Sequence, residues 1–148
     1  MITREIFDIA YAHEEAYKQL LIPKHISYRT ATLHMLPAIT CAALSLELYF
    51  KCLISVEGMV APKGHKFSKL LMQLTNKSRN LIYQEFKNLT KAPSLTEDEF
   101  VSSLTEIDDV YTNSRYIFEH DNLSIDMNQI DATIQAVKSA IKSKHPEF

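Results

Sequence analysis

Arg115 and His120, at the two ends of the stretch R-Y-I-F-E-H, are the residues whose types and spacing point most directly to chemistry. Apolar side chains recur upstream at Phe100, Leu104, Ile107 and Tyr111 and again at Phe118, the i, i+4, i+7 rhythm of one buried helix face. Arg115 lies four residues after Tyr111 and three before Phe118, so the pattern carries its guanidinium into that seam. Removing a cation from water costs on the order of several kcal/mol unless a carboxylate, a phosphate or several carbonyls surround it. An anionic partner for Arg115 is therefore expected. A guanidinium grips an oxyanion bidentately, and an imidazole exchanges a proton near neutral pH, the pairing that chemistry at a phosphate requires. On a straight helix His120 projects about 140° away from Arg115. The two converge if the helix bends or ends near Phe118, where Asp121 and Asn122 follow, or if a dimer brings equivalent residues together. His120 near a helix C-terminus also has a purely structural reading, a favourable contact with the helix dipole.

The counter-charge for Arg115 is sought on the most apolar element. Between about Leu36 and Glu57 nearly every direction of a helix is apolar: Ile39, Ala43, Leu46, Phe50 and Leu53 form one face, and Ala38, Cys41, Leu44, Leu48, Tyr49 and Cys52 cover most of the rest. Thr40, Glu47 and Lys51 fall within about 40° of one another and make a narrow polar stripe on this rod. Two readings stand. Glu47 and Lys51 form an exposed i, i+4 pair worth about 0.2–0.5 kcal/mol, or Glu47 is the buried counter-charge for Arg115. A basic middle segment, Lys63, Lys66, Lys69, Lys77 and Arg79, has the composition to follow a phosphate backbone, although such lysines are more often a solvated face. His65 beside Gly64 reads foremost as a helix-start residue. The acidic residues Glu97, Asp98, Glu99, Glu106, Asp108 and Asp109 repel RNA, so an RNA path should avoid the start of the helix that carries them. Neither H-E-x-x-H nor paired metal-ligand spacing occurs among the six histidines, and there is no glycine-rich phosphate loop or G-x-S-x-G. No metal and no cofactor is expected.

The elements that must position these residues are helices. Two glycines in 148 residues, with abundant Leu, Ala, Ile, Glu and Lys, argue against a turn-rich β fold. Helix 1 is expected from about Thr3 to Leu21 on Ile6, Ile9, Ala10, Ala16 and Leu20, with Pro23 at the exit. The second should run from Leu36 to Glu57 with Gly58 as a left-handed cap. A third over Lys66–Thr75 should bury Phe67, Leu70, Leu71 and Leu74, and a fourth near Arg79–Asn88 should bury Leu81, Ile82 and Phe86. Thr96 with Glu99 three residues on is a capping-box signature for a long fifth helix ending near His120. Asp126 is placed to cap a sixth, whose last turns carry Lys138, Lys142 and Lys144.

Composition bounds the class. A chain of 148 residues with 46% apolar and 23% charged side chains is expected to form a single domain with its own core, residues 1–148. The net charge of −2 provides no global attraction to nucleic acid or anionic membrane. Cys41 and Cys52 sit eleven residues apart on one helix, about 16 Å by helical rise, too far for a disulfide. A reduced, cytoplasmic setting follows as the expectation. Asp8, Glu14 and Glu15 interrupt any signal-peptide core, and the uncharged run Thr30–Leu46 falls short of the ~20 residues of a membrane span. No membrane association is expected.

Three strings in order, A-L-S-L-E-L-Y-F-K-C-L-I at 43–54, G-H-K-F-S-K-L-L at 64–71 and Y-T-N-S-R-Y-I-F-E-H at 111–120, resemble the HEPN family (higher eukaryotes and prokaryotes nucleotide-binding domain). The resemblance covers most of the chain. It implies an all-α, up-and-down bundle of five to six helices that forms a homodimer. It also implies a metal-independent ribonuclease of a toxin–antitoxin or phage-defence system, in which Arg115 and His120 are the catalytic Arg-x4-His pair. Glu47, Lys51, Tyr116 and Glu119 would support them as a polar cluster, while Lys63, His65, Lys66 and Lys69 would contact RNA phosphates. The alternative that it implies is a non-catalytic nucleotide-binding module that partners a small nucleotidyltransferase. The pattern departs at Tyr116, where many active members carry Asn, Asp or His, and in lacking a tyrosine two residues after His120. Cleavage without a metal needs a base for the 2′-hydroxyl proton, an acid for the leaving oxygen and a fixed cation. A 2′,3′-cyclic phosphate would be the product.

Overall fold

The computed structural model describes residues 2–22, 28–110, 113 and 125–148, with 28–34 as backbone. The described residues form six helices and no strand: α1 (Ile2–Leu20), α2 (Tyr28–Val56), α3 (Phe67–Gln73), α4 (Asn76–Thr90), α5 (Glu97–Ile107) and α6 (Met127–Lys144). The chain is thus an all-α helical bundle.

The centre is α2. Leu46, Tyr49, Phe50, Leu53 and Ile54 are fully enclosed, each worth about 1.5–3 kcal/mol of burial. Helix α1 lies along it, α6 covers a second side and α3 a third, while α6 also packs on α4 and α3 on α5. The stretch Met35–Val56 is long and apolar enough to cross a membrane, yet 61% of it is buried inside the protein. Its apolar surface is therefore largely taken up by the neighbouring helices. The helix begins at Tyr28 rather than at Leu36 and runs through Pro37. The missing proline N–H is an incomplete stop signal, and the Thr40 hydroxyl donates to the Leu36 carbonyl at 3.1 Å beside it.

Local signals account for most boundaries. Gly58 adopts φ 77 after the last turn of α2, with Gly58 N–H to Ser55 O and Met59 N–H to Ile54 O closing a Schellman motif. Thr96 and Glu99 exchange both capping-box hydrogen bonds, at 2.8 and 3.2 Å. Asp126 accepts from the Asn128 and Gln129 amides. Helix α3 buries Phe67, Leu70 and Leu71, with Leu74 just after it, as its spacing predicts. Cys41 and Cys52 lie on one continuous helix and are free thiols.

Three expectations are corrected. The buried stripe of α1 is Phe7, Ala10, Glu14 and Tyr17, while Ile9 is exposed; two aromatic rings bury more area than Ile9 and Ala16 and set the rotation. Leu81 on α4 is exposed, and Ser78 takes an inward position beside Ile82 and Phe86. Helix α5 ends at Ile107, where a turn at Asp108 and Asp109 interrupts the expected long helix before helical backbone resumes at Val110 and Asn113. Its expected end near His120 lies outside the described residues. Asp108 there turns its carboxylate to Ser68, accepting from its amide at 2.8 Å and from its hydroxyl, which ties the end of α5 to the start of α3.

Candidate functional site

Glu47 is buried in the middle of α2, and its Oε1 accepts from two donors: Lys51 Nζ at 2.7 Å and His65 Nδ1 at 2.9 Å. The i, i+4 pair predicted with Lys51 therefore exists, but it is not the exposed pair of the first reading. Only 5% of the Glu47 side chain and 17% of the Lys51 side chain reach solvent, whereas His65 is 63% exposed. An ionised carboxylate only accepts, so in this contact His65 Nδ1 carries a proton and donates it to Glu47.

His65 precedes α3 in a loop, and the backbone from Pro62 to α3 forms one wall of a cleft of about 410 Å³. Its lining includes His65, Lys66, Lys69 and Gln73 on one side and Asp108 and Asp109 on the other. Lys66 and Lys69 lie there because burial of Phe67, Leu70 and Leu71 turns the opposite face of α3 outward. Asp108 is already engaged at the start of α3, which leaves Asp109 as the carboxylate that faces a ligand. Of the basic segment read from the sequence, Lys63 is exposed in the preceding loop. Arg79 is turned elsewhere, bonding Met72 O and Asn76 and lining a separate depression with Glu97 and Asp98. The segment is thus not one continuous track. The end of the acidic helix reaches the cleft, although its start does not.

Arg115, Tyr116, Glu119 and His120 lie outside the described residues, as does Tyr111. The expected Glu47–Arg115 contact involves one of them. Phe100, Leu104 and Ile107, the described part of the stripe that singled out Arg115, are all buried.

A second buried carboxylate escaped the sequence reading, which used Glu14 only to argue against a signal peptide. Glu14 on α1 is wholly enclosed. It accepts from Lys18 at 2.7 Å, Tyr49 at 2.7 Å, Gln135 at 2.9 Å and Lys138 at 2.8 and 3.1 Å. Burial pushes its carboxyl up, but the hydrogen bonds from Lys138, Lys18, Tyr49 and Gln135 outweigh this and hold it down at about 2. Burial, followed by the carboxylates they face, pushes the Tyr17 and Tyr49 hydroxyls upward, Tyr17 donating to Asp131 and Tyr49 to Glu14. Lys138 also lies 5.6 Å from the Tyr11 ring and 5.7 Å from the Tyr49 ring. It is therefore more than a dipole-favoured lysine at the end of its helix. The signal was available: Glu14 interrupts the Phe7, Ala10, Tyr17 stripe just as Arg115 interrupts its own. Every oxygen of Glu14 is occupied from within the bundle, so this cluster joins α1, α2 and α6 and offers nothing to a ligand.

A further cavity of about 440 Å³ is walled by Phe86, Leu89, Leu95 and Ala132. Asp126 on its rim is committed to capping α6. Among the described residues no group of three or more His, Cys, Asp or Glu side chains is arranged to hold a metal ion. The cleft beside Glu47 and His65 thus combines a positioned imidazole, two ammonium groups and a carboxylate. Compared with family models, curated proteins and solved structures, the chain matches none.

Proposed function

We propose that the chain is a HEPN-like domain that binds RNA and cleaves it without a metal, with Arg115 as the phosphate clamp and His120 as a proton-transfer residue. The observation that carries this reading is the cleft of about 410 Å³ at the start of α3, where Lys66 and Lys69 stand beside His65. Two ammonium groups suit a phosphodiester, and the Asp109 carboxylate suits the amino and hydroxyl donors of a nucleoside. The mixed lining fits a nucleotide unit better than a bare anion. The order of the three sequence strings supports the same reading, and homodimerisation belongs to it.

Purified protein with a chelator present is expected to cleave single-stranded RNA to 2′,3′-cyclic phosphate ends. Arg115→Ala and His120→Ala should each slow this, the histidine variant by about 10²–10⁴-fold with thermal unfolding nearly unchanged. Cleavage by His120→Ala at the wild-type rate would remove the assignment. Binding of RNA without cleavage would favour the nucleotide-binding module and a nucleotidyltransferase partner.

A further inference from the structure

The cavity of about 440 Å³ bounded by α4, the loop into α5 and the first turns of α6 differs in kind from the α3 cleft. No Lys, Arg or His is among its described lining residues, and its walls are Phe86, Leu89, Leu95 and Ala132. The one charged residue on it, Asp126, has its Oδ1 committed to the α6 cap. The volume lies within the roughly 300–1,000 Å³ of sites that take small molecules. A phosphate or carboxylate finds no counter-charge there, whereas a neutral, largely apolar molecule gains by burial.

One polar group sets what else that molecule must carry. Gln129 lines the cavity from the first turn of α6, and its main chain is satisfied: the amide donates to Asp126 at 3.2 Å and the carbonyl accepts from Thr133 at 2.8 Å. Its side-chain Nε2 is buried and meets no acceptor among the described residues. A buried donor without an acceptor is costly, and native proteins leave few of them. The Thr90 and Ser103 hydroxyls on the same lining donate to the Phe86 and Phe100 carbonyls, both at 2.7 Å, so they have no proton for a ligand. The donors left are the side-chain amides at the start of α6, Asn128 on the exposed side and the Gln129 nitrogen enclosed. The terminal torsion of a glutamine is soft and two-fold, which lets this nitrogen meet an acceptor seated in the cavity without any shift of the helix.

We infer that this cavity binds a small, neutral, mostly apolar molecule bearing a carbonyl that accepts from Gln129 Nε2. The site is independent of the ribonuclease reading and uses none of the residues of the α3 cleft.

The test titrates the isotope-labelled full chain with indanone and with indane, two probes of one ring skeleton that differ in the carbonyl. Both should move backbone amide signals around Phe86 and Ala132, and only indanone should move the side-chain amide signals of Gln129. Because the two probes leave water with unequal ease, affinity is read as the ratio of their Kd values. Gln129→Met keeps the length and removes the donor, and should shift that ratio against the ketone by about three- to tenfold. Ala132→Phe fills the cavity and, with folding verified by circular dichroism, should abolish binding of both probes. An unchanged ratio in Gln129→Met, binding that survives in folded Ala132→Phe, or no response around Phe86 and Ala132 to either probe at millimolar concentration overturns the inference.

Discussion

Glu14 and Glu47 begin from the same sequence signature and end in opposite situations. Each sits on a buried helix face with a lysine four residues on, and each bonds that lysine at 2.7 Å. Glu14 then collects Tyr49, Gln135 and Lys138 from α2 and α6, all directed inward. Glu47 instead collects His65, a ring that is mostly in solvent and borders a cleft. A buried carboxylate whose partners are all internal can only hold helices together. One that shares its oxygen with an exposed titratable ring can pass its influence to something outside.

The largest expected effect follows from the closed cluster. Glu14→Gln keeps the volume but leaves Lys138, 14% exposed, without its counter-charge, and breaking a buried pair in this way costs about 3–5 kcal/mol. Urea denaturation at neutral pH measures it, and a loss under about 1 kcal/mol would mean that the cluster is not what joins the three helices. The same carboxyl predicts an acid limb of stability. Its folded value of about 2 lies below the ordinary 4.5. The unfolded chain therefore binds the extra proton in that interval, and stability falls as pH drops from about 4.5 through about 2. In Glu14→Gln that part of the acid sensitivity should vanish.

Glu47→Gln is expected to cost less, about 1 kcal/mol. An amide oxygen still accepts from Lys51 or His65, and His65 can turn to water. A loss equal to that of Glu14→Gln would erase the distinction between a closed and an open carboxylate. It would make Glu47 a structural residue first.

The difference in legibility between the two has a physical origin. Helix boundaries marked by local chemistry, such as the Thr96–Glu99 box, the Gly58 cap and the Asp126 cap, were readable because each signal acts within a few residues. The start of α2 was not readable, because the helix runs back through Pro37 to Tyr28 and no local signal marks that end. The turn at Asp108 was not readable because its partner, Ser68, is forty residues away. The same holds for the candidate site. The Glu47–Lys51 pair is a helical neighbour relation and was visible. His65 joins it only through the path of the loop before α3, and no periodicity reports that path. Glu14 was legible in principle by the rule that singled out Arg115, since both break an apolar stripe. Its partners Tyr49 and Lys138 lie on other helices, and their identity follows from packing alone.

The smallest effect is also the most discriminating, because it compares the two lysines that the sequence makes equivalent. Lys18 is 43% exposed, and without it Glu14 still holds Lys138, Tyr49 and Gln135. Lys18→Ala should therefore change stability by no more than about 0.5 kcal/mol, as exposed pairs do. Lys51 is 17% exposed and is the one ammonium on Glu47 among the described residues. Its loss removes that ammonium from a buried carboxylate, and Lys51→Ala should cost about 1–2 kcal/mol. Thermal or urea unfolding of the two single variants side by side decides the order. The reverse order would mean that Lys18, not Lys138, neutralises Glu14, and that Glu47 is held chiefly by something other than its helical neighbour.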